Sequence, residues 1–143
     1  HGGAGYIEES ILPRLFRQSP LNSIWEGSGN VICLDVLRAL AREPQTAEAF
    51  FAELDAARGA YGELDRAIDK AKASLATTTE PSARRLVETL ALALQGALLT
   101  RHAPNTVADA FIATRLGQEP WRTYGAFEAA IDERAIITRA MPH

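Results

Sequence analysis

Glu26 lies in the stretch IWEGSGN, residues 24–30, between a tryptophan and three small residues that are poor helix formers. A carboxylate here, just before an apolar-periodic segment, has two readings. In the first it caps a helix: Ser23 and Glu26 match the S-x-x-E capping box, in which the serine oxygen accepts the amide of the third helical residue and the glutamate reaches back. In the second it is a base held beside a backbone that glycines let a ligand approach closely. The cap would place Gly27 and Gly29 in the first turns of its own helix, each costing about 1 kcal/mol relative to alanine. A cap stabilises by about the same amount, so the glycines call for another explanation. Close approach of phosphate or carbonyl oxygens to the exposed amides of a helix N-terminus is one.

Other reactive or binding side chains read more plainly. Cys33 sits between Ile32 and Leu34 with no histidine near it in sequence, and reads as a small core residue rather than a nucleophile. Arg38 either contacts a ligand or DNA or pairs with Asp35 at i, i+3 on a solvated helix face. His102, after Arg101 at an expected helix end, suits the negative pole of the helix dipole. A single cysteine excludes an intramolecular disulfide, argues against a cysteine-based zinc site, and fits a reducing cytoplasm. No metal site is expected.

The chain has 143 residues, of which 47% are hydrophobic, enough for the core of one domain or of a compact domain with a piece of another. Its formal charge of -3 does not advertise a nucleic-acid or membrane-surface protein. No apolar run is long enough to span a bilayer, and the expectation is a protein without a membrane role. The opening HGGAGYIEES lacks an initiator methionine and carries a glycine cluster of the sort that joins two elements, so the chain is expected to be a segment of a longer polypeptide.

The elements that must position these residues are helical. Pro13 opens a short helix with Leu12, Leu15 and Phe16 as contacts, and Pro20 stops it. Val31, Leu34, Leu37 and Ala41 recur at helical spacing beside Ile32, Val36 and Leu40, predicting a largely buried helix over 30–41. A second segment over 46–74 uses Phe50, Phe51, Leu54, Tyr61, Leu64, Ile68 and Leu75, with Gly59 and Gly62 as weak points. Pro81 starts a helix over 82–102 with Leu86, Leu90, Leu94 and Leu98, and another follows Pro104 to Leu116, with Gly117 as its C-terminal cap. The last runs over 127–139 with Ile131, Ala135 and Ile136 inward. The expected class is all-α, an antiparallel helical bundle. The boundary at Glu43-Pro44 separates residues 1–43, which hold the unusual residues, from an ordinary Ala- and Leu-rich array over 44–143.

The run GGAGYIEESILPRLFRQSPLNSIWEGSGNVICLDVLRAL resembles the C-terminal helical domain of acyl-CoA dehydrogenases. That domain carries Gly-Gly-x-Gly-Tyr, then Pro-x-x-Arg-Leu-x-Arg, then aromatic-Glu-Gly-Thr/Ser. Within the family, Asn-Ser-Ile-Trp-Glu-Gly-Ser-Gly-Asn and Cys-Leu-Asp-Val-Leu-Arg resemble the AidB branch, flavoproteins linked to the response to DNA alkylation, and the helices after Pro44 agree with that branch in length and character. The resemblance implies FAD as cofactor and an acyl-CoA thioester as substrate, with Glu26 removing the α-proton while the β-hydrogen leaves as hydride to the flavin. Gly27, Ser28 and Asn30 fall at the FAD-contacting positions after the glutamate, although many family members carry glutamine where Asn30 stands. Trp25 falls beside the substrate pocket, Gly2 and Gly3 in the segment that approaches the FAD of a neighbouring subunit, and Arg38 at an arginine of the AidB branch. It also implies a homo-oligomeric parent, a dimer or tetramer, a chain that is silent by itself, and DNA contact through the last helices. Residues 44–143 hold eleven Lys or Arg against thirteen Asp or Glu, so DNA contact would need a clustered face such as Arg84, Arg85, Arg101 and Arg115.

Overall fold

The computed structural model describes residues 2–25, 27–117, 125 and 131–141. Among the described residues there is no strand, and the all-α expectation holds. A 3-10 turn over Gly2–Gly5 leads to α1 (Leu12–Gln18), a second 3-10 turn over Ser19–Ser23, α2 (Gly29–Arg42) and α3 (Pro44–Asp55). Then come α4 (Gly62–Leu75), a 3-10 turn over Glu80–Ser82, α5 (Ala83–His102) and α6 (Asn105–Phe111), which runs into a π-helical turn over Ile112–Leu116. The last element is α7 (Glu133–Ala140).

Helix α5 is the hub. Its sides are covered by α2, α3, α4, α6 and the π turn. Leu54, Leu64, Ile68, Ala93, Ala97 and Ile112 form one buried cluster, and Ala71, Leu86 and Leu90 a second, onto which α2 lays Val36, Leu37 and Leu40. Phe50 and Phe51 of α3 border both clusters, edge to face with ring centroids 5.6 Å apart. The expected leucine stripe on α5 drifts: Leu86 and Leu90 are buried, whereas Leu98 is 38% exposed and the buried face passes to Ala93, Gly96 and Ala97. Four-residue steps advance the stripe by about 40° each, so a run of Leu at that spacing winds off the buried face.

The expected single helix over 46–74 is two helices. The chain breaks after Asp55, Gly59 takes a φ of +84° that stops any right-handed helix, and Tyr61 is extended before α4 begins. The Gly59 N–H donates to the Asp65 carboxylate at 3.2 Å, which fixes the turn. Asp55 ties the break together, accepting from Arg58 Nε at 2.7 Å and Lys72 Nζ at 2.9 Å, while Arg58 Nη2 donates to Asp69 at 2.6 Å. The Lys72 and Arg58 hydrogen bonds hold the Asp55 carboxyl below the usual carboxylate range. A lowered folded pKa gives stability that is present above the unfolded value, roughly 3.9, and lost as pH falls through the folded one. Asp55→Asn should therefore lower the thermal midpoint by no more than a few degrees at neutral pH, with the gap to the parent chain closing in melts recorded at progressively acid pH.

Gly96 marks the tightest crossing in the core. A Cβ there would stand 3.0 Å from Leu116 Cδ1 and 3.2 Å from both Ile112 Cδ1 and Leu64 Cδ1. The π turn brings Ile112 and Leu116 together onto α5 at that point, and only a residue without a side chain leaves room. Gly96→Val is expected to destabilise the chain by about 1–3 kcal/mol through overpacking, measured by urea unfolding.

Other boundaries also differ from the sequence expectation. Gly117 follows the π turn with φ −55° and ψ 171°, so it ends the turn in extended rather than left-handed backbone. Helix α7 starts at Glu133 because Asp132 Oδ1 accepts the Ala135 N–H at 2.9 Å, making Asp132 its N-cap; residues 127–130, where the sequence expectation began, lie outside the described residues. Helix α2 is only half covered: Cys33 is buried, but Val31 and Ile32 are 49% and 47% exposed, since among the described residues the main contacts of α2 are with α3 and α5 on one side.

Candidate functional site

The candidate site is the approach to α2. The 3-10 turn ends at Ser23, whose Oγ donates to the Pro20 carbonyl at 2.7 Å, so this serine closes its own turn and does not cap α2. The capping-box expectation for Ser23 is thus corrected, because the helix begins at Gly29 with Ser28 in the cap position. Glu26 lies outside the described residues. Gly27, next to it, has φ +77°, and a Cβ there would meet Ile32 at 3.1 Å, so conformation and space both select glycine. Ser28 is half-buried, its hydroxyl makes no capping hydrogen bond, and its carbonyl accepts the first bond of the helix from Ile32 N at 3.1 Å. The amides of the first turn have no helical partner and point back along the axis.

Asn30 stands in that first turn, and its Oδ1 accepts from Arg84 Nη1 at 2.8 Å. The Arg84 guanidinium lies over Gly29, with its nitrogens 3.4 and 3.5 Å from where a Cβ would stand. Nothing in the sequence signals this contact, which joins residues 54 apart in the chain. The structure thus brings Gly27, Ser28 and Asn30 together and adds Arg84. Gly2 and Gly3 are placed elsewhere: they form part of the first 3-10 turn, Gly2 with φ +53°, and no atom lies within 4 Å of a Cβ built on either. Gly2 lines a groove of about 790 Å³ with Gly5, Tyr6, Phe16 and the Glu8–Arg17 ion pair, closed at 2.6 Å.

Trp25 and Ile24 are 58% and 71% exposed, so among the described residues they wall no enclosed cavity. Arg38 pairs with Asp35 at i, i+3 on the outer face of α2, as the plainer of its two readings has it. Cys33 is buried, and His102 closes α5 as expected. Among the described residues no group of His, Cys, Asp and Glu could hold a metal ion, and no helix is long and apolar enough to cross a membrane.

Residues 1–41, which contain this helix start, match the family described as acyl-CoA dehydrogenase, C-terminal domain. Over 115 residues, 80% of this chain and 21% of the relative, the sequence is 38% identical to the putative acyl-CoA dehydrogenase AidB of Escherichia coli (strain K12). Residues 1–41 carry the acyl-CoA dehydrogenase C-terminal domain signature, and the chain is AidB-like over most of its length. It is also 32% identical over 111 residues to acyl-CoA dehydrogenase family member 11 of Caenorhabditis elegans, 75% of this chain and 18% of that protein. The chain therefore spans about a fifth of the length of the curated relatives it matches. Both alignments are too long to end at residue 43, so sequence similarity to these family members extends into the helices after Pro44, beyond length and helical character alone.

Proposed function

We propose that this chain is the C-terminal helical part of an FAD-dependent acyl-CoA dehydrogenase that introduces an α,β double bond into an acyl-CoA thioester. The observation that carries the reading is the start of α2: a left-handed Gly27, a Ser28 hydroxyl that makes no capping hydrogen bond and the Asn30 amide, in the segment that matches the family. This donor set fits FAD, since carbonyl and phosphate oxygens need hydrogen-bond donors at a backbone that can be approached closely. FAD, when bound, supplies the acceptor for the β-hydrogen. Glu26 is the base that takes the α-proton onto its carboxylate, and Trp25 borders the substrate pocket. In the longer polypeptide, further chain over Ile24 and Trp25 would exclude water and raise the basicity of Glu26. Gly2 and Gly3, with open space around both, would let a neighbouring subunit's cofactor approach in a homo-oligomer. The division into 1–43, carrying the motif, and 44–143, a helical extension, belongs to the same proposal, as do a cytoplasmic location and a chain that is silent alone.

The alternative, an alkylation-response flavoprotein that contacts DNA and keeps only vestigial dehydrogenase chemistry, would use the arginine face named above. Arg101 is paired with Glu53 and residues 44–143 are net acidic, both of which weigh against phosphate attraction. The test is steady-state formation of the α,β-unsaturated thioester by the longer polypeptide with an artificial electron acceptor. Turnover across a series of acyl chains supports the proposal, and no product with any of them counts against it.

A further inference from the structure

Arg84 is the second residue of α5, and its base is firmly set. Thr79 and Ser82 form a reciprocal cap, with the Thr79 N–H donating to Ser82 Oγ at 3.0 Å, and Ala83 is 2% exposed. From this fixed start the guanidinium crosses to α2 and donates to the Asn30 side-chain oxygen, in a groove that Glu80 also lines. For stability alone the placement is of the wrong sign, since a cation over the first turn of α2 faces the positive pole of that helix. Its chemical effect on Asn30 is definite. A guanidinium can only donate, so it selects the amide oxygen and turns the NH2 group of Asn30 away from α5.

We infer that Arg84 is a positioning residue for the cofactor contact: it fixes the Asn30 carboxamide with its oxygen toward α5, which leaves its NH2 as the donor that would hold FAD, so the extension after Pro44 helps set cofactor affinity. The inference rests on the reading of Asn30 as an FAD contact. It assigns the extension a task in the flavin site itself, carried by one hydrogen bond across the two parts of the chain.

The experiment uses the longer polypeptide as holoenzyme and as flavin-stripped protein. FAD affinity is measured by fluorescence titration, and the bound flavin's visible band and the thermal midpoint are recorded beside it. Arg84→Ala is expected to weaken FAD binding by about tenfold and to alter the band shape, the size expected for one positioned hydrogen bond. In an Asn30→Ala background the same substitution should do almost nothing, because the group it orients is gone. Arg84→Lys keeps the charge without the planar fork and should recover only part of the affinity. Should Arg84→Ala fail to fold, Arg84→Lys and Arg84→Gln give the same comparison. Unchanged affinity in all the Arg84 variants, or losses that add in full with Asn30→Ala, would overturn the assignment while leaving the dehydrogenase reading intact. A wild-type polypeptide that binds no FAD would overturn both.

Discussion

Glu26→Gln in the longer polypeptide is expected to lower turnover of acyl-CoA by about 10²–10⁴-fold while leaving the bound flavin and the fold in place. The argument is chemical: abstraction of a weakly acidic C–H proton needs a carboxylate that can take it, and a carboxamide of the same size cannot. Gly27 turns the chain with its φ of +77°, and Ser28 stands in the cap position of α2. Product formation, the visible flavin band and a thermal melt check the three parts separately. A variant that loses flavin as well would place Glu26 among the cofactor contacts instead.

Leu64→Ala should be the most damaging of the core truncations, costing about 2–5 kcal/mol. Leu64 is fully buried, at the meeting of α4, α5 and the π turn, where Leu54, Ile68, Ala93, Ala97 and Ile112 surround it. Its Cδ1 stands 3.2 Å from where a Cβ on Gly96 would lie, so truncation opens a cavity against the tightest crossing in the core. The total stability of a domain this size is roughly 5–15 kcal/mol, so the substitution removes a large part of it. Urea unfolding of the chain reads the loss, and Ile24→Ala, at a position 71% exposed, serves as the control with a change near zero.

The contrast between these positions explains what was legible in the residues alone. Where a periodic face meets a real neighbour, as at Leu54, Leu64, Ile68, Leu86 and Leu90, sequence spacing found the core. Cys33 in the interior and the Asp35–Arg38 pair are local patterns, readable within one or two turns of helix. The break between α3 and α4 was legible only as a weak point at Gly59 and Gly62, because good helix formers stand on both sides and the Gly59 bond to Asp65 forms only in the folded turn. Spacing also could not say that Val31 and Ile32 would lie open, since an apolar stripe records what a helix can bury and not which neighbours one stretch of chain supplies. In the candidate site, the motif around Glu26 carries the proposed chemistry, whereas the Ser23 Oγ bond to Pro20 follows the local turn and the reach of Arg84 to Asn30 is a product of tertiary folding.

The central claim is that the turn into α2 serves a flavin and an acyl thioester together. Anaerobic mixing of the purified longer polypeptide with acyl-CoA thioesters, followed by visible absorbance, tests it most directly. Bleaching of the oxidised flavin band by at least one chain length, abolished by Glu26→Gln, is the result predicted. A flavin that stays oxidised with every thioester, or a protein that carries no flavin, would contradict it.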